Sequence, residues 1–118
     1  YLKKSLKNIH FTRIESKTIN GIPDLFGIYN CCSLWCELKA NPGKHPNLSK
    51  WQISWMNNHV ARGGKYIICF QTLLQRRLKL YEIKKFVDDP SALVPDAELK
   101  ANEPKKLQKY FEKFCSDN

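Results

Sequence analysis

Asp24, Glu37 and Lys39 are the residues whose types and spacing could do chemistry. Residues 1–81 carry 13 basic side chains against three acidic ones, Glu15, Asp24 and Glu37, a net of +10. A segment selected to hold a polyanion has reason to exclude carboxylates, so the three that survive are the leading site candidates. Two strand-like runs, 24–29 and 34–39, flank the short stretch Asn30-Cys31-Cys32-Ser33 and predict a hairpin. A turn centred between Asn30 and Cys31 makes residues whose numbers sum to 61 face each other, Asp24 and Glu37 among them. The strand period of two puts Lys39 on that same face. Like charges placed opposite one another are destabilising unless a cation sits between them, so this register predicts a metal. A carboxylate pair in a basic field suggests cutting a polyanion rather than only holding it. Asp24 after Pro23 could also be an ordinary turn residue, and Glu37 with Lys39 an exposed edge pair. Against the second reading, Trp35, Cys36, Leu38 and Ala40 give that strand little claim to solvent.

The elements that must position these residues are readable in outline. Leu2, Leu6 and Ile9 fall at helical spacing, with Lys3, Lys4 and Lys7 elsewhere on the turn. A strand is expected over 10–17, closed by the turn signal Asn20-Gly21. After the hairpin comes a loop from Asn41 to Leu48, then a helix over 50–62. Ser49 is its N-cap, Gln52 completes a Ser-x-x-Gln capping box, and Gly63-Gly64 ends it. Tyr66–Phe70 is a continuous apolar run, the mark of a strand buried on both faces, and the strand, helix, strand order implies a parallel crossover. The order is αβββαβ. Residues 78–83 form a further strand or begin a helix through Phe86, and 88–95 is a loop. Leu107, Tyr110, Phe111 and Phe114 mark a terminal amphipathic helix that packs on the core or pairs with a second copy. Trp51 and Trp55 are expected in the core.

With 118 residues and 13.8 kDa, the chain is one domain of ordinary composition, 42% hydrophobic and 26% charged. Its net charge of +9 is concentrated in a basic core, residues 1–81. The extension, 82–118, has seven basic and eight acidic residues. Five cysteines without a C-x-x-C pair or an apolar leader point to a reduced, cytoplasmic protein, and no run is long enough to span a membrane. Cys31, Cys32 and Cys36 with His45 lack the usual paired spacing of a zinc site, and Cys36 falls inside a strand pattern.

Pro23-Asp24 followed by Glu37-Leu38-Lys39 resembles the motif of the PD-(D/E)XK nucleases. The wider phrasing, Gly21-Ile22-Pro23-Asp24-Leu25, Trp35-Cys36-Glu37-Leu38-Lys39-Ala40, Gln52 and Gly63-Gly64, resembles the virus-type replication-repair nuclease (VRR-NUC) branch, over about residues 10–72. The resemblance implies an α/β, restriction-endonuclease-like αβββαβ core, a central mixed sheet flanked by helices, here with a C-terminal helical extension. It implies a Mg²⁺-dependent DNA endonuclease, Mn²⁺ substituting, that acts on branched DNA such as a Holliday junction as a homodimer. Other cofactors and a membrane are not expected. Such a protein is intracellular, working in the host cytoplasm if phage-encoded.

Two hard carboxylates suit Mg²⁺, which acidifies bound water and offsets charge on the phosphorane. Lys39 would position or help deprotonate that water, or neutralise the phosphate. The resemblance adds the Leu38 backbone carbonyl as a metal ligand, a site-bordering role for Gln52, and Glu15 as a further ligand. Glu15 is equally a partner for Arg13, Lys17 or Lys39. Lys44, His45, Lys50, Arg62, Arg76 and Arg77 are the expected DNA contacts. Pro95-Asp96-Ala97-Glu98-Leu99-Lys100-Ala101 repeats the motif's letters in a polar segment with no hairpin between its acids, and is set aside. The alternatives are an inactive nucleic-acid-binding module of the same fold and an RNA-directed nuclease.

Overall fold

A computed structural model describes residues 8–15, 20–72, 76–100 and 102–116. The expected N-terminal helix therefore lies largely outside the described residues. The strand expected over 10–17 is shorter: β1 is His10–Arg13, Ile14 and Glu15 lie outside it, and 16–17 fall outside the described residues. β2 (Leu25–Tyr29) and β3 (Cys32–Asn41) form the expected hairpin, with Asn30 and Cys31 both at positive φ (44° and 65°) in a two-residue turn. Two successive left-handed residues give the turn whose twist matches that of the strands. Leu25 pairs Cys36 and Tyr29 pairs Cys32, which is the register expected from the sequence.

α1 (Lys50–Ala61) connects β3 to β4 (Tyr66–Thr72), and the two strands pair in parallel. β5 (Arg77–Ile83) settles the open choice at 78–83 in favour of a strand. The loop beyond it contains a single 3-10 turn, Pro90–Ala92. β6 (Ala97–Lys100) is a strand the sequence reading did not anticipate, and it contains the Glu-Leu-Lys of the second motif copy. Its four residues alternate, with Ala97 and Leu99 turned to the core and Glu98 and Lys100 exposed. α2 (Pro104–Ser116) closes the described chain.

The six strands of the described residues lie in sequence order, β1-β2-β3-β4-β5-β6, antiparallel except at β3–β4. Central β4 is buried along Tyr66–Phe70 because a helix covers each face of the sheet. One face gathers Phe11, Leu25, Leu34, Cys36, Ile67 and Leu80 under α2, which contributes Leu107, Phe111, Phe114 and Cys115. The other gathers Tyr66, Ile68, Phe70, Tyr81 and Ile83 under α1, through Met56 and Trp55. The apolar stripe of α2 is thus spent on its own sheet, which removes the basis for expecting this helix to pair with a second copy. Among the described residues no helix is long and apolar enough to cross a membrane.

Candidate active site

The site lies on the α1 face, where the hairpin meets the first turn of α1. The Asp24 carbonyl accepts from the Ile14 N–H at 2.8 Å, and its Oδ2 accepts from the Leu38 N–H at 2.9 Å. This carboxylate therefore continues the β2–β3 ladder one residue past the paired backbone. Gly21, at φ 82°, lets the preceding turn lie directly on α1. A Cβ there would collide with the Trp51 carbonyl and the Gln52 amide nitrogen. A glycine is required on both counts.

Glu37 lies beside Asp24 and opposite Ile68 of β4, and is only 2% exposed. Its Oε1 accepts from Gln52 Nε2 at 2.7 Å and lies 3.9 Å from Lys39 Nζ. Its Oε2 is buried with no hydrogen-bond partner. Burial, and after it the charge of Asp24, push the Glu37 carboxyl up to about 7, while the charge of Lys39 pulls the other way. A buried carboxylate oxygen left unpaired beside a second carboxylate is costly as it stands. It is a natural ligand for a hard cation, so the residues present fit one.

Gln52 carries both roles considered for it. Its Oε1 accepts from the Ser49 N–H at 2.9 Å while Ser49 Oγ accepts from the Gln52 N–H at 3.2 Å, closing the capping box. The opposite end of the same amide holds Glu37. Helix start and carboxylate are thereby locked together.

Glu15 is placed differently. It pairs with Arg13 at 3.5 Å and its side chain is 81% exposed. Arg13 faces Leu25 across the ladder, on the α2 side, and Glu15 lies two residues beyond the end of β1. Among the described residues no group of three or more His, Cys, Asp or Glu side chains gathers for a metal. The candidate among the described residues is therefore a carboxylate pair, Asp24 and Glu37.

The basic residues divide by the end of the sheet they occupy. Asn41 pairs Thr72 and Thr72 pairs Arg77, so Arg76 and Arg77 share the strand end from which the loop bearing Lys44 and His45 departs. Lys50 opens α1 there. Arg62 caps the far end of α1, with its Nη1 on the Asn58 carbonyl at 2.8 Å, about 18 Å along the axis.

Sequence reasoning missed three residues. Asn41 organises the basic loop, its Nδ2 donating to the carbonyls of Pro42 (2.8 Å) and His45 (3.1 Å) and its Oδ1 accepting from the Asn47 N–H (3.1 Å). An Asn that ends a strand before Pro-Gly was the available signal. Tyr66 buries a hydroxyl with no partner, and burial followed by the charge of Glu37 drives its pKa well upward. Nothing in its apolar run marks it. Trp51, expected in the core, is 53% exposed, with Lys50 Nζ 5.1 Å from its ring centre. Trp55 does pack inward, on Trp35 and Tyr66.

No family model matches the sequence, and no curated protein matches it. Among solved structures the fold is similar to that of Hjc from Archaeoglobus fulgidus, a Holliday junction resolvase from an archaeal hyperthermophile. The TM-score is 0.60 at 15% identity, covering 96% of this chain and 91% of that one. The fold is restriction-endonuclease-like, a mixed six-stranded sheet between helices.

Proposed function

We propose that the chain is a metal-dependent DNA endonuclease that hydrolyses phosphodiester bonds, with a preference for branched DNA. One observation carries this reading: the buried Glu37 carboxylate has one oxygen fixed by Gln52 and the other unpaired, beside Asp24. A purely structural carboxylate would have no reason to keep that second oxygen orphaned. Asp24, Glu37 and the Leu38 carbonyl would hold Mg²⁺, or Mn²⁺ in its place. When bound, the metal supplies an acidified water and offsets charge on the phosphorane. Gln52 fixes the Glu37 carboxylate in one orientation. Lys39 Nζ, beside Glu37 on the same strand face, steadies the attacking water or the phosphate. Lys44, His45, Lys50, Arg76 and Arg77 hold flanking phosphates at the same end of the sheet.

The preference for branched DNA rests on the resemblance of the motif phrasing to the VRR-NUC branch and on a fold similar to that of a resolvase. A junction cut symmetrically on two strands calls for two sites, so a homodimer is part of the proposal. The test is incubation of labelled four-way junction, linear duplex and matching RNA with Mg²⁺, Mn²⁺ or EDTA. Metal-dependent cutting of junction DNA, abolished by Glu37→Ala, is expected. Absence of metal-dependent cutting on every substrate, or full activity in Glu37→Ala, would sink the assignment. Preferential cutting of RNA would move it to an RNA-directed nuclease.

A further inference from the structure

Among the described residues five large apolar side chains are exposed, Ile28, Leu38, Trp51, Phe86 and Val94. Trp51 is the aromatic next in sequence to a residue of the site. Its neighbour Gln52 turns inward to Glu37, and its backbone carbonyl abuts Gly21, three residues before Asp24. The ring itself stands outside, more than half exposed, in the first turn of α1. Lys50 lies over the ring and no acidic residue occupies the first turn of the helix. Lys44 and His45 are exposed in the loop before it, with Asp89 beside His45 and Asp88 across a pocket from Lys50.

An exposed indole with a lysine over it, next to a site for a polyanion, suits one kind of ligand group, the flat face of a nucleobase whose phosphate that lysine binds. Inside a continuous duplex every base is already stacked on its neighbours, so the ring can take up only a base that is splayed out or terminal. We infer that Trp51 is a stacking platform for an unstacked base beside the cleaved phosphate, and that it makes the protein select DNA with an interrupted stack over continuous duplex. This rests on the nuclease reading for the choice of DNA as the polyanion, but its test needs no cleavage.

The probe is an immobile four-way junction with 2-aminopurine beside the branch point, and a duplex of the same sequence, bound in EDTA. The wild-type protein is expected to quench the junction probe on binding. Trp51→Ala should bind the junction roughly tenfold more weakly, the scale of one lost base–aromatic stack. The same variant should bind duplex within about twofold of wild type and show an unchanged salt dependence, since the lysine contacts remain. Trp51→Phe keeps a ring and should retain both affinity and quenching. Equal loss on junction and duplex, no loss on either, or no DNA binding by the wild type would each overturn the inference. Discrimination that passes through Trp51 in a protein that cuts nothing in Mg²⁺ would leave the inference standing and remove the nuclease reading instead.

Discussion

Glu37 ties the stability of the protein to pH. Its carboxyl titrates near 4.5 when unfolded and about 7 when folded, so across that window the native state keeps a proton that the unfolded chain has released. Stability then falls as pH rises through the window, with the full loss present above about 7. Glu37→Gln removes the charge and keeps an oxygen for Gln52. In metal-free buffer it is expected to be more stable than the parent at pH 8, by on the order of 2 kcal/mol, with no such gain near pH 4. Thermal melts at the two pH values check this, and a gap of equal size at both would contradict it. Protons and metal compete for the same carboxyl, so Mg²⁺ affinity should rise about tenfold per pH unit below 7 and level off above, readable as a ligand-induced melting shift that Glu37→Gln lacks. The facing of Asp24 and Glu37 was legible in the sequence because strand period and turn length are integers. The double duty of Gln52 was not, since it depends on which end of one amide points where. Trp51 misled for a helical reason: Gln52 and Met56 mark the buried line of α1, and Trp51 stands about 100° round from Gln52 at the helix end.

At the scale of elements, the site is a joint between a turn, a hairpin and a helix start. Gly21→Ala would place a methyl group against α1 in a backbone conformation that alanine resists. A loss of about 2–4 kcal/mol is expected, measured by urea unfolding, together with loss of cutting as Asp24 and Gln52 are forced apart. Ser49→Ala removes the hydroxyl that accepts from the Gln52 backbone N–H and should cost about 1 kcal/mol, while the backbone N–H of residue 49 still holds the Gln52 amide, so cutting should change little. Asn20-Gly21 was legible as a turn, but the contact that demands the glycine is made with a helix thirty residues on. β6 escaped notice because four alternating residues among charges give little periodic signal. Its role explains the second Pro-Asp: Asp96 Oδ2 accepts from the Glu82 N–H at 2.7 Å, as Asp24 Oδ2 does from Leu38. Both Pro-Asp pairs stand at a strand entrance and extend a ladder. What separates them is the neighbour, a buried and half-unpaired Glu37 in one case and an exposed Glu98 in the other.

Across the whole molecule, charge and core are organised by the two ends and two faces of the sheet. Lys44→Glu with Arg77→Glu should weaken DNA binding by at least tenfold at moderate salt and flatten its salt dependence, while Arg62→Glu at the far end should change it little. Fluorescence anisotropy over a salt series separates the two, and equal effects would show that DNA does not follow the site end. The basic bias of residues 1–81 was legible, but its division between the ends was not, since it follows from α1 running back along the sheet. Phe111→Ala, which opens the core under α2, should cost about 3–5 kcal/mol, read by chemical denaturation. Because each strand pairs with its neighbour in the chain, the sheet can assemble in the order in which the polypeptide is made. By Thr72 every piece of the carboxylate joint has been synthesised, yet the face bearing Phe11, Leu25, Leu34 and Ile67 waits for residues 104–116 to cover it. A nascent chain paused between those points carries an assembled site over a bare apolar sheet, the species in which aggregation competes with folding and on which a chaperone would act.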